Sequence, residues 1–194
     1  GGRLGYVFFY NFEFYSTNLL NIFKIWEGGM SFHGALIGIV LGTYFFSKKT
    51  GIKKLILLDI VACVSPIGIF FGRIANFINS ELYGKPTNAL WGVIFPKIDK
   101  IPRHPSQLYE AFLEGIVVFL ILNLIIFNFK YRPGYCSSLF LIIYGVFRII
   151  VEQYRIPDPQ IGLIFQLISM GSILSILMIS FGIMLFFKSK KNES

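Results

Sequence analysis

Residues 55–78 read LILLDIVACVSPIGIFFGRIANFI, an apolar run long enough to cross a bilayer, for which a helix of about 20 mostly apolar residues suffices. Toward its far end Arg73 and Asn76 lie three apart and so share a helical face. A buried arginine in a span costs from about 2.5 kcal/mol on insertion scales upward, so a partner or a polar cavity is expected beside it. A spanning helix with polar chemistry inside it sets the reading of the rest of the chain.

Outward from this run, further apolar stretches occupy 31–47, 109–128, 138–152 and 162–187, and residues 1–12 read as the end of another. The stretch 138–152 is short for a bilayer and is expected to extend at either end, whereas 162–187 is long enough to tilt. The predicted fold class is all-α. It is a polytopic helical membrane protein with about five complete spans and part of a sixth, forming a single transmembrane domain over 1–194. With 55% hydrophobic and 14% charged residues, the chain is too apolar for one soluble core of this size. It opens on Gly1-Gly2-Arg3-Leu4-Gly5-Tyr6, without a methionine or a signal peptide and already in apolar sequence, so the native start is expected further upstream.

A net charge of +8 would indicate nucleic acid in a soluble chain, but here the basic residues crowd into short loops beside spans, and no nucleic-acid partner is expected. Lys48, Lys49, Lys53 and Lys54, the pair Lys130 and Arg132, and the tail Lys188, Lys190 and Lys191 all fall on one side if the spans alternate. The opposite loops are longer yet hold only Lys24, Lys85, Lys97, Lys100, Arg103 and Arg155, which places the C-terminus in the cytoplasm by the positive-inside rule. Segments 13–30, 79–108 and 153–161 then face outward, over a polar intramembrane cavity. Arg3, Arg73 and Arg148 remain, each within or at the end of an apolar span. No internal repeat supports a transporter built from repeats, and the two cysteines, Cys63 and Cys136, form no CxxC and no metal-ligand spacing. No metal site is expected.

Four clusters could carry chemistry. The densest is Gly72-Arg73-Ile74-Ala75-Asn76-Phe77-Ile78-Asn79-Ser80-Glu81-Leu82-Tyr83-Gly84, in which Asn79 extends the Arg73 face and Glu81 can supply a counter-charge. A guanidinium with adjacent amides suits a phosphate, although an arginine near a helix end can also snorkel to lipid headgroups. Tyr144, Arg148 and Glu152 lie along one helical face at i, i+4 and i+8, as a site or as a structural ion pair. His33 follows a glycine-rich entry, Gly28-Gly29-Met30-Ser31-Phe32-His33-Gly34, and is either a base near neutral pH or a structural residue. Arg103-His104-Pro105-Ser106-Gln107-Leu108-Tyr109-Glu110 leads into the next span, where Glu110 and Glu114 fit a helix N-terminus, with Glu114 deeper than that reading expects. Ser31 and Ser106 have no evident triad partners, which argues against a serine hydrolase.

Taken in order, these blocks resemble the prolipoprotein diacylglyceryl transferase family. Residues 72–84 match G-R-x-x-N-F-x-N-x-E-x-x-G at every fixed position. Gly2-Arg3-Leu4-Gly5-Tyr6, residues 28–34, residues 104–110, and Tyr144-Gly145-Val146-Phe147-Arg148 with Glu152 and Arg155 match as well. Ala35 departs from a second glycine found in many relatives, a conservative change.

The resemblance implies about seven spans in a bacterial inner membrane. It implies transfer of the diacylglyceryl group of phosphatidylglycerol to the lipobox cysteine of a prolipoprotein, with glycerol 1-phosphate released. The partners are thus phosphatidylglycerol, lipobox-containing prolipoproteins and membrane lipid, and no metal or organic cofactor is required. It points to Arg73 and Arg148 for the phosphate, with Asn76, Glu81, Tyr144 and Glu152 orienting them. His33 is the candidate base, the alternative being an arginine or the phosphate itself assisting the thiol. The competing class is a channel or carrier for an anion, with the two arginines lining its path.

Overall fold

The computed structural model describes residues 1–29, 31–128, 132–156, 163–164 and 168–191. Lys130, the outward segment from residue 157 and the predicted span start at 162 fall outside them, as does the side chain of His33. The described residues are mainly helical and divide into two compact units, Gly1–Leu57 and Leu58–Ser194.

In the first unit, α1 (Gly2–Tyr10) is followed by α2 (Phe12–Thr17), two short 3-10 turns and α3 (Phe32–Thr50). Ser31 caps α3, its Oγ accepting from the Gly34 N–H at 3.2 Å, and Gly51 ends it in a left-handed conformation after Lys48 and Lys49, whose charges suit the helix C-terminus. α1 and α3 touch backbone to backbone, since a Cβ at Gly34 would lie 2.7 Å from the Gly5 Cα. That approach is the small-residue packing by which helices associate in lipid. Arg3 finds its partners in this unit too. Its guanidinium donates to the carbonyls of Ile22 at 3.0 Å, Asn21 at 2.6 Å, Lys24 at 2.9 Å and Gly29 at 3.3 Å, and to that of Gly28. It is a staple for the loop before α3, with its donors spent on backbone.

In the second unit, α4 (Lys54–Asn79) carries Pro66 in its interior and leads to a small antiparallel hairpin, β1 (Val93–Ile94) paired with β2 (Pro102–Arg103). A continuous helical run follows: α5 (Ser106–Glu110), a π-helical stretch Ala111–Val117, and α6 (Val118–Asn128). α7 (Tyr135–Glu152) begins on Gly134, whose N–H donates to the buried Asp59 carboxylate at 2.7 Å; the Ser137 N–H does the same at 2.7 Å and the Ser137 hydroxyl at 2.5 Å. A carboxylate in that position satisfies orphan donors of the first turn and lies at the positive end of the helix dipole. Cys63, Val118, Leu122 and Cys136 pack together between α4, α6 and α7.

The last helix, α8 (Met170–Lys191), starts later than the apolar run at 162 predicts. Leu163–Ile164 and Ile168–Ser169 pair instead as β3 and β4, because hydropathy alone does not separate a short apolar strand from a helix extension. These two small ladders are a departure from the all-α expectation. The stretch expected to lengthen beyond 138–152 does so, starting at Tyr135.

Among the described residues, Lys54–Asn79, Ser106–Phe127, Tyr135–Glu152 and Gly171–Ser189 are long and apolar enough to cross a membrane. They keep large apolar side chains on the outside of the bundle, among them Val64, Phe71, Leu124, Phe127, Leu177 and Phe181. Such faces suit lipid as solvent, and the chain is a multi-pass helical membrane protein.

Candidate active site

The site is assembled by the chain that leaves α4. Ser80 and Leu82 both have positive φ, 62° and 53°, a left-handed conformation that non-glycine residues adopt only where neighbours enforce it. The enforcing contacts come from α5: Gln107 Nε2 donates to the Glu81 carbonyl at 2.6 Å and Ser106 Oγ to the Leu82 carbonyl at 3.1 Å. Gly84 closes the arrangement. Its N–H donates to the His104 carbonyl at 3.0 Å, and a Cβ there would sit 2.4 Å from that oxygen and 2.7 Å from the Tyr154 carbonyl, so only glycine fits. The next residue, Lys85, donates its N–H to Tyr154 O and its Nζ to Gln153 O, each at 2.8 Å. One short turn thus fixes the ends of α4, α5 and α7 against each other.

Within that frame the charged side chains converge. Arg73 on α4 lies with its Nε 3.2 Å from Glu110 Oε2 and its Nη2 3.7 Å from Glu114 Oε2. Arg148 on α7 pairs through Nη1 with Glu110 Oε1, lies 3.8 Å from Glu114 Oε1, and reaches Glu152 Oε2 through Nη2 at 3.1 Å. Arg155, just past α7, adds Nη1 to Glu110 Oε1 at 3.3 Å. Glu110 and Glu114 have no exposed side-chain surface at all, whereas Arg73 and Arg148 keep 17% and 13% of theirs. The carboxylates form the floor and the guanidiniums the accessible face.

The helix supplying Glu110 and Glu114 is shaped for this. Its π-helical turn covers Glu114, a distortion that often marks functional sites. Gly115 lets α4 come close, since a Cβ there would lie 2.8 Å from the Phe70 Cβ and 3.0 Å from the Phe70 Cα, one turn before Arg73. Isolated, each of these ions would carry a desolvation penalty of several kcal/mol; clustered as three arginines and three glutamates they compensate one another.

Residues 1–188 match the family described as prolipoprotein diacylglyceryl transferase. The chain belongs to that family. It is similar to the phosphatidylglycerol–prolipoprotein diacylglyceryl transferase of Rickettsia bellii (strain OSU 85-389), with 53% identity over 192 residues that cover 98% of this chain and 73% of the relative. The enzymes of that name from Rickettsia felis and from Ehrlichia canis are each 53% identical over 94% of this chain and 71% of their own length.

In this diacylglyceryl transferase family member, the structure brings together Arg73, Arg148 and Glu152 of the residues singled out in the sequence, and Tyr144 is close enough to Glu114 to interact with it. Asn76 and Glu81 form a separate pair, Asn76 Nδ2 donating to Glu81 Oε2 at 3.1 Å. The counter-charges beside Arg73 are Glu110 and Glu114 rather than Glu81, because the left-handed turn at Ser80 carries the Glu81 side chain to the surface. Glu110, Glu114 and Arg155 are the members that a helix-terminus reading of the sequence passes over. The signal for the two acids is their i, i+4 spacing inside a run otherwise apolar enough to span, in a chain with arginines at span depth awaiting partners.

Outside the cluster, Arg103 is committed to Asp99, with Nη2 2.5 Å from Oδ2, and holds that carboxyl below the usual carboxylate range. Trp91 Nε1 donates to the Tyr109 hydroxyl at 2.9 Å, and His104 Nδ1 lies 3.1 Å from the same oxygen.

Proposed function

We propose that this chain transfers the diacylglyceryl group of phosphatidylglycerol to the thiol of a lipobox cysteine in a prolipoprotein, the first step of bacterial lipoprotein maturation. The observation that carries the reading is the pairing of Arg73 and Arg148 on one buried carboxylate, Glu110, within a helical membrane protein of this family. A sulfur–carbon bond forms at the terminal glycerol carbon of the diacylglyceryl group. The bond from that carbon to the phosphate oxygen breaks, glycerol 1-phosphate departs and the thiol proton is lost.

The chemistry needs cations where charge collects on the departing phosphate, and fixed guanidinium forks serve that better than mobile charges. Arg73 and Arg148 take this role, with Glu110, Glu114 and Glu152 orienting them and Tyr144 on the same stripe of α7. Asn76 and Glu81 line the approach to the phosphate. His33 is the candidate base for the thiol on its chemistry, which allows it to take a proton near neutral pH.

Residues 1–194 form one membrane domain with about five complete spans and part of a sixth, the four long helices and α3 being complete spans and α1 the end of another. The C-terminus lies in the cytoplasm, and residues 13–30, 79–108 and 153–161 face outward over a polar cavity. Acyl chains enter sideways from the bilayer and the peptide from outside.

The test is transfer of labelled diacylglycerol from phosphatidylglycerol to a lipobox peptide by the enzyme in membranes. A labelled thioether product that requires the peptide cysteine is the expected result, and no transfer with either substrate saturating contradicts the proposal.

A further inference from the structure

Gln107 is a buried amide with only half of its hydrogen bonding met. It has no exposed surface, its Nε2 is committed to the Glu81 carbonyl at 2.6 Å, and its Oε1 is buried without a hydrogen-bond partner. The bond to Glu81 O fixes which way the amide faces, because a flip would set oxygen against oxygen. Oε1 is therefore an acceptor awaiting a donor, and a buried acceptor left unmet costs about 1–3 kcal/mol.

What could supply the donor is restricted by its surroundings. Gln107 stands one helical turn before Glu110, on the same face. Further acceptors beside it also fail hydrogen-bond geometry, namely Glu110 Oε2, both oxygens of Glu114 and Glu152 Oε2. The cations Arg73 and Arg148 already lie against these carboxylates. A phosphate diester brings acceptors only and leaves the Gln107 oxygen unmet. Beyond its phosphate, however, a phosphatidylglycerol headgroup carries two hydroxyl groups, and Gln107 stands one helical turn from the Glu110 that holds both arginines.

We propose that Gln107 Oε1 accepts a hydrogen bond from a hydroxyl of the lipid's glycerol headgroup, making Gln107 a determinant of headgroup choice. The assignment rests on the transferase reading above and goes beyond it. The arginines recognise any anionic phosphodiester, and Gln107 distinguishes a headgroup that ends in hydroxyls from one of equal charge that does not.

The experiment compares phosphatidylglycerol with phosphatidylpropanol, which keeps the charge and nearly the size of the headgroup but lacks both hydroxyls. Transfer to a lipobox peptide is measured as kcat/KM for each lipid in wild type, Gln107→Met and Ser106→Ala. Wild type should prefer phosphatidylglycerol roughly tenfold to a hundredfold, the range that one unmet buried acceptor implies. Gln107→Met also cuts the tie to Glu81 O, so it should slow transfer from both lipids in common while bringing their ratio near unity through a further loss confined to phosphatidylglycerol. Ser106→Ala, which cuts the neighbouring tie to Leu82 O, should leave the ratio in place. Equal use of the two lipids by wild type overturns the proposal even if the Gln107 variant fails to fold. A parallel loss with both lipids in Gln107→Met reduces Gln107 to a structural tie. Absence of transfer from any phospholipid would remove the transferase reading and this inference with it, an outcome distinct from equal use of both lipids.

Discussion

Glu110 holds Arg73 on one carboxylate oxygen, 3.2 Å from its Nε, and places its other oxygen on Arg148. Two guanidiniums from helices far apart in sequence are thereby set at a spacing fixed by one carboxyl group. Replacing it with glutamine keeps the shape and removes the charge, leaving three arginines around a neutral group. Breaking one partner of a buried ion cluster costs about 3–5 kcal/mol. Glu110→Gln should lower the thermal midpoint and reduce lipid transfer by on the order of a hundredfold, a 3 kcal/mol effect on the barrier. A variant with wild-type turnover and melting would show that the arginines do not depend on it.

Gly115 sets how near α4 comes to the helix of Glu110 and Glu114. An alanine there would press on the Phe70 Cβ at 2.8 Å and Cα at 3.0 Å, and overpacking of this kind costs about 1–3 kcal/mol. Gly115→Ala should therefore slow transfer about tenfold or more by displacing Arg73, whereas Gly68→Ala on the same α4, where a Cβ meets nothing within 4 Å, should be near wild type. Side-by-side kinetics of the two variants at matched abundance decide the point, and equal rates would contradict it.

The spans were legible because lipid demands long apolar helices, and hydropathy reports that demand directly. Arg73 and the Arg148–Glu152 pair were legible for the complementary reason, since a charge at span depth is costly enough to draw notice. Glu110 and Glu114 were not assigned because spacing along one helix does not say which helix packs opposite it, and acids near a helix start have an ordinary explanation in the dipole. Gln107 carries no charge, so no cost of burial advertised it. The β3–β4 ladder is indistinguishable from helix in the sequence because its residues are as apolar as the span that follows.

Asp59 offers a test of fold without chemistry. It caps α7 at the end opposite Arg148 and Glu152, accepting from Gly134 and Ser137. Asp59→Ala strands two buried N–H donors and should destabilise by about 2–4 kcal/mol. Differential scanning measurements should show a lowered midpoint, while turnover per folded molecule stays within about threefold of wild type at low temperature. A large loss of turnover with an unchanged midpoint would place Asp59 in the chemistry.

Topology is open to impermeant thiol labelling against a quiet background, because Cys63 and Cys136 are both buried. Cysteines introduced near Lys49 and Lys190 should resist an outside label in intact cells, and one near Pro86 should react. Outside labelling at Lys190 would reverse the assigned orientation.

The central claim is that Arg73 grips the phosphate of the lipid through its planar fork rather than merely carrying positive charge to the membrane surface. Lysine preserves the charge and snorkels about as well, but cannot donate paired hydrogen bonds to two oxygens. The direct measurement is transfer of labelled diacylglycerol from phosphatidylglycerol to a lipobox peptide by Arg73→Lys enzyme matched to wild type for membrane abundance. The account predicts a loss of about a hundredfold, on the order of 3 kcal/mol of transition-state stabilisation. Transfer at near wild-type rate would contradict it and leave the phosphate to Arg148.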